Sequence, residues 1–102
     1  MLTVIESALF TRLWPDYWTP EEYGDFLHHL AARPEAGDVV PGAGGCRKIR
    51  WSRAGMGKRG GVRVIYSLGL LPGTLVLLTL YSKSARESLS ADVLRKLLEA
   101  MQ

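Results

Sequence analysis

A single cysteine, Cys46, excludes an internal disulfide and any multi-cysteine zinc site. Histidine is almost as scarce, with only the adjacent His28 and His29, so neither a structural metal nor a catalytic histidine pair is expected. No cofactor motif is present. The stretch GKRGG at 57–61 has the glycines and cations of a phosphate loop, but Walker spacing is missing and a β-prone run follows instead of a helix. The first ten residues, MLTVIESALF, lack a basic leader and contain Glu6, so no secretory signal is expected and a reducing cytoplasm is the anticipated setting. Acid is the most telling absence: residues 39–86 contain none, against nine bases, for a local charge of +9.

The rest of the chain offsets only part of that charge. Residues 1–38 carry seven acids and two bases (−5), and residues 87–102 three acids and two bases (−1), which leaves the net +3. Segregation on this scale predicts a polyanionic partner, because a dense positive field recruits nucleic acid and like charges repel until something neutralises them. With 47% hydrophobic and 23% charged residues, the composition is that of a folded protein, and 102 residues suit one domain spanning 1–102.

Val64 to Tyr81, VIYSLGLLPGTLVLLTLY, is eighteen residues without a charge, long enough to raise the question of a membrane span. Pro72-Gly73 at its middle instead favours a type II turn between two β-prone flanks, so the run is expected to fold back as two buried strands. CRKIRW at 46–51 alternates as a strand does, and a Gly-rich connector leads from it to VRVIYSLGL. Three consecutive strands of this kind predict an antiparallel meander.

Helices are expected on either side. TPEEYGDFLHHLAARP has Thr19 as N-cap, Pro20 in the first turn and Glu22 three residues after the cap, while Tyr23, Phe26, Leu27, Leu30 and Ala31 form an apolar stripe. His28 and His29 fall off that stripe and read as surface residues. Residues 2–6 suggest a short strand and 7–13 a turn of helix; Ser90 caps a last helix carrying Val93, Leu94, Leu97, Leu98 and Met101. Helices segregated from a small antiparallel sheet make the predicted class α+β.

Seven cations lie between Arg47 and Arg63: Arg47, Lys48, Arg50, Arg53, Lys58, Arg59 and Arg63. All are candidates for contact with RNA. Arg63 is the sharpest of them, since it springs from a strand between Val62 and Val64 and is held more rigidly than a loop residue. A salt bridge to Glu6 or to an acid of the 19–33 helix is its structural alternative. Tyr81 and Lys83, at the end of the third strand, fall near Arg63 only if the strand register allows it. Were the chemistry RNA cleavage by the neighbouring 2′-hydroxyl, arginine would grip the phosphate, a lysine crowded by like charges would accept a proton, and a tyrosine would stack or relay.

The runs GDVVPGAGGCRKIRW, GMGKRGGVRVIYS and LLTLYSKSARESLS, with the helix TPEEYGDFLHHLAARP, resemble the HigB-type branch of the RelE/ParE toxins of type II toxin–antitoxin systems. The resemblance covers most of the chain. It implies a RelE-like α+β domain, a metal-independent, ribosome-dependent endonuclease acting on mRNA, and a cognate antitoxin, usually of helix-turn-helix type. Matched by position, it implies catalytic roles for Arg63, Lys58, Arg59, Tyr81 and Lys83, with Arg47, Lys48, Arg50 and Arg53 binding RNA or the ribosome. Relatives often carry NExxDL after the lysine, whereas this chain has SARESL, with Ala85 for the glutamate and Ser88 for the aspartate. Acid catalysis by those carboxylates is therefore not expected. Cys46 stands where an aliphatic residue is common and reads as a small buried hydrophobe. Two other functions fit the same resemblance, a gyrase-binding poison like the ParE branch and a non-catalytic RNA-binding relative.

Overall fold

A computed structural model of the chain describes residues 2–51, 61–69, 71–82 and 89–101. In chain order they form β1 (Thr3–Glu6), α1 (Ala8–Leu13), a 3-10 turn (Trp14–Asp16), α2 (Pro20–Ala32), β2 (Asp38–Val39), β3 (Arg47–Trp51), β4 (Val62–Ser67), β5 (Thr74–Ser82) and α3 (Ala91–Glu99). The helices begin where side chains satisfy free amides. Thr19 Oγ1 accepts from Glu22 N while Glu22 Oε1 accepts from Thr19 N, completing the capping box, and the hydroxyls of Ser7 and Ser90 cap α1 and α3. Each such cap is worth about 1 kcal/mol. Tyr23, Phe26 and Leu30 of the α2 stripe are buried, but Ala31 is exposed. On α3, Leu94 and Leu98 are buried and Val93 faces outward.

The sheet has five strands in the order β1-β5-β4-β3-β2. Its centre, β3-β4-β5, is the predicted antiparallel meander. Gly73 takes φ +76° after Pro72, the positive value that the second position of a type II turn requires. Two edges extend the meander. β1 pairs parallel to β5, with Thr3 N donating to Gly73 O at 2.7 Å, and the two-residue β2 pairs with β3, so the sheet is mixed. The uncharged run 64–81 supplies most of β4 and β5, and among the described residues no helix is long and apolar enough to cross a membrane.

Each face of the sheet has its own core. Val62, Val64 and Tyr66 of β4 point to the side covered by α1 and α2, where Phe10, Trp18, Tyr23, Phe26 and Leu30 pack on them. Ile65 points to the opposite side, with Cys46, Val76, Leu78, Leu94 and Leu98. Cys46 is fully buried there, its Sγ is 4.0 Å from the Leu94 carbonyl, and burial pushes its thiol pKa up, as suits an inert packing residue.

A β-bulge breaks the alternation of β5. Ile65 pairs with Thr79 but Tyr66 pairs with Leu77, so Leu78 is an extra residue. Its carbonyl accepts from Ser7 Oγ at 2.6 Å, and Ser7 N donates to Leu77 O at 2.9 Å. Beyond the bulge, Leu80 returns to the α1–α2 side and Tyr81 turns to the α3 side.

The loop after α2 is pinned by two β-strand residues. Tyr66 Oη accepts from Gly37 N at 2.9 Å and donates to Pro34 O at 2.7 Å, while Arg47 Nη1 donates to the carbonyls of Gly37 and Glu35. Any side chain at position 37 would meet Tyr66, because an added Cβ falls 2.8 Å from the ring. Tyr66→Phe strips two backbone groups of their partner and should lower the unfolding free energy in urea by about 1–3 kcal/mol. Burial, foremost, holds the Tyr66 phenol above its ordinary pKa, and does the same for Tyr23, where a bond to Glu6 adds to it. The unfolded chain therefore ionises first on the alkaline side. Stability should be intact below about pH 10 and fall as pH rises past it, with a shallower fall in Tyr23→Phe.

Candidate nucleic-acid interface

Strand pairing, not sequence proximity, selects which cations share a surface. In the register of the meander, Arg50 of β3 lies opposite Arg63 of β4, which lies opposite Tyr81 of β5. One step along, Lys48 lies opposite Ile65 and Ile65 opposite Thr79. Direct cross-strand partners project to the same face. Arg63 and Ile65 are two residues apart on one strand, so Lys48, Arg50, Arg63 and Tyr81 all stand on the α3 side of the sheet.

Arg63 forms no ion pair among the described residues. Its Nη1 is buried without a hydrogen bond, although the residue as a whole is only half-buried. Glu6, the carboxylate best placed in sequence to neutralise it, accepts instead from Tyr23 Oη and Thr11 Oγ1. Among the described residues, the ion pair that forms is Arg95 with Asp92 on α3. Arg50 and Lys48 are exposed, and Tyr81 is half-buried against the Ile65 core. The result is a row of two like charges directly opposed and an aromatic ring at its end. Such a row costs stability in isolation and is relieved by an anion.

Arg47 belongs elsewhere. Its Cα partner is Tyr66, which places it on the α1–α2 side, and its guanidinium is engaged by backbone carbonyls. Alternation along β3 already sets Arg47 on the face opposite Lys48 and Arg50, and register adds which of the two faces carries Arg63. Lys58, Arg59, Lys83 and Arg53 lie outside the described residues. His28 is exposed, whereas His29 packs on Trp51 with ring centroids 4.8 Å apart, so it is part of the aromatic wall of α2 and not simply solvated. No group of three His, Cys, Asp or Glu side chains gathers among the described residues in a way that could hold a metal ion.

Solved structures share this arrangement of strands and helices. A chain of the intact E. coli RelBE toxin–antitoxin complex superposes with a TM-score of 0.61 at 17% identity, over 84% of this chain and 100% of that one. A mutant of the E. coli toxin RelE in the free state gives 0.63 at 14% identity, over 99% of this chain and 98% of the other. The fold is RelE-like. No family model matches the sequence. At these identities the RelE-like comparison speaks for the backbone, and the chemistry must be argued from the side chains of this chain.

If the opposed arginines repel as their register implies, Arg50→Gln should raise the unfolding free energy by about 0.2–1 kcal/mol. The gain should be larger at about 0.01 M salt than at about 1 M, where charges are screened within a few ångströms. Urea titrations at the two ionic strengths measure both effects.

Proposed function

We propose that the protein is the toxin of a type II toxin–antitoxin system, of the HigB-type branch, and that it inhibits translation by cutting ribosome-bound mRNA in the cytoplasm. One observation carries this reading. Arg63 stands on the central strand of a RelE-like sheet, its buried Nη1 without a hydrogen bond among the described residues, between a second arginine and a tyrosine on the same face.

Cleavage by transesterification suits such a surface. The 2′-hydroxyl oxygen attacks the adjacent phosphorus, the bond from phosphorus to the 5′-oxygen breaks, and the products are a 2′,3′-cyclic phosphate and a 5′-hydroxyl. Negative charge builds on the non-bridging oxygens, where Arg63 binds bidentately and Arg50 adds a second positive charge. Lysine in a crowd of cations loses its proton more readily than in water, so Lys58 or Lys83 accepts the 2′-hydroxyl proton, with Arg59 assisting the grip. Tyr81 stacks on a base or relays the proton to the leaving oxygen. Lys48 and Arg53 extend the positive track along the ribose-phosphate backbone, and Arg47 supports it from behind by fixing the loop after α2. No metal or cofactor is required by this scheme. The ribosome holds the RNA in line, a contribution of up to roughly 7–11 kcal/mol when orientation is ideal.

The RelBE complex contains an antitoxin bound to its toxin, and a comparable partner, of helix-turn-helix type, is proposed here. It would neutralise the positive face or block access to the ribosome. Incubating the protein with translating ribosomes and mapping mRNA ends tests the enzymatic reading. New 5′-hydroxyl ends within codons are expected, and Arg63→Ala should lower the cleavage rate about 10²–10³-fold while leaving the circular dichroism spectrum unchanged. Intact mRNA together with blocked DNA supercoiling would replace this reading with a gyrase poison. RNA binding without new ends would replace it with a non-catalytic relative.

A further inference from the structure

Beside Arg63, on the same face of the sheet, the surface dips into a hollow of about 160 Å³ lined by Val40, Lys48, Ile65, Tyr81, Leu89 and Leu94. We infer that this hollow is a subsite for one unstacked nucleobase, and that Lys48 at its rim makes it prefer guanine or uracil to adenine, a refinement that rests on the ribonuclease reading.

The lining has the make-up that a planar heterocycle requires. Val40, Ile65, Leu89 and Leu94 supply apolar walls, with Ile65 and Leu94 each only 2% exposed. Tyr81 supplies an aromatic ring for stacking, which every base accepts through its π face. The position is also right. Ile65 follows Arg63 by two residues on β4, so the floor of the hollow is about 7 Å along the strand from the arginine. That is comparable to the reach from a phosphate to the base of its own nucleotide. A phosphate on Arg63 therefore brings its base to the hollow without strain.

Lys48 gives the hollow its selectivity. An ammonium group carries three donors and no acceptor. Guanine offers it O6 and N7, and uracil a ring carbonyl, whereas adenine sets its N6 amino donor beside N7 and opposes the lysine with a like dipole. Lys48 is exposed and makes no side-chain hydrogen bond among the described residues, so its donors are available to a base. The surrounding positive charge favours a nucleotide over the apolar side chain of a protein partner as the occupant, since a nucleotide brings an anion to Arg50 and Arg63, which have no carboxylate partner among the described residues.

The test uses the full chain, isotopically labelled at its Ile and Leu methyl groups, titrated with 3′-GMP, 3′-UMP and 3′-AMP and followed by NMR. The Ile65 and Leu94 methyl signals should move, and the guanine and uracil nucleotides should bind about fivefold or more tightly than the adenine one. Lys48→Gln, whose amide both donates and accepts, should bring that ratio close to unity. Tyr81→Leu should weaken all three by about tenfold through lost stacking. Arg63→Ala should weaken all three together and keep the ratio. Equal affinities, a ratio that survives Lys48→Gln, or signals moving only elsewhere would each overturn the subsite. The two readings fail separately. Ribosomal cleavage blind to the flanking base removes the subsite and leaves the ribonuclease, whereas nucleotide discrimination without any cleavage leaves the subsite and removes the ribonuclease.

Discussion

Everything functional in this molecule hangs on β4 being hydrogen-bonded on both sides. A strand with two partners has its register set twice, and a slip of one residue against either neighbour would send its apolar side chains into solvent. Val62, Val64 and Tyr66 on one face and Ile65 on the other are each at most 2% exposed, so both cores resist such a slip. Arg63 shares that strand. Its position relative to Arg50 and Tyr81 is thereby fixed by hydrophobic packing and owes nothing to attraction among the three.

The same constraint explains how an unfavourable charge arrangement persists. Two opposed arginines contribute a modest penalty, while burying a single leucine, isoleucine or valine contributes about 1.5–3 kcal/mol. The two faces of the sheet together bury many such side chains. Packing outweighs repulsion, and the positive row is held ready for an anion. On the opposite face, Tyr66 and Arg47 spend their polar atoms on the backbone of the loop after α2, which keeps that loop fixed against the sheet. Adjacent arginines in one short segment thus do different work according to the side they emerge from.

Much of the fold is legible in the sequence. The capping box at Thr19, the apolar stripe of α2, the Pro72-Gly73 turn and the β3-β4-β5 meander all follow from local chemistry that neighbours do not override. Long-range pairings were not legible. Nothing in Thr3–Glu6 signals a parallel partner seventy residues away, and Asp38–Val39 is too short to show a period. The site divided along the same line. Charge marked out Arg63, but the face occupied by Arg47, and the company of Arg50, Lys48 and Tyr81, depend on register. His29 departs from a purely surface role for a related reason, because Trp51 reaches it only through the packing of α2 on β3.

The extra residue in β5 has a consequence for how this surface is inherited. Tyr81 looks toward Arg63 only because Leu78 shifts the phase of the strand, and Ser7, far away in the chain, binds the displaced carbonyl. Gaining one codon between Leu78 and Tyr81, with the bulge still held by Ser7, would leave the flanking turn and the helices untouched yet rotate the tyrosine to the opposite side. Length variation here, more than side-chain exchange, is therefore the mutational route by which a descendant could keep the scaffold and fall silent.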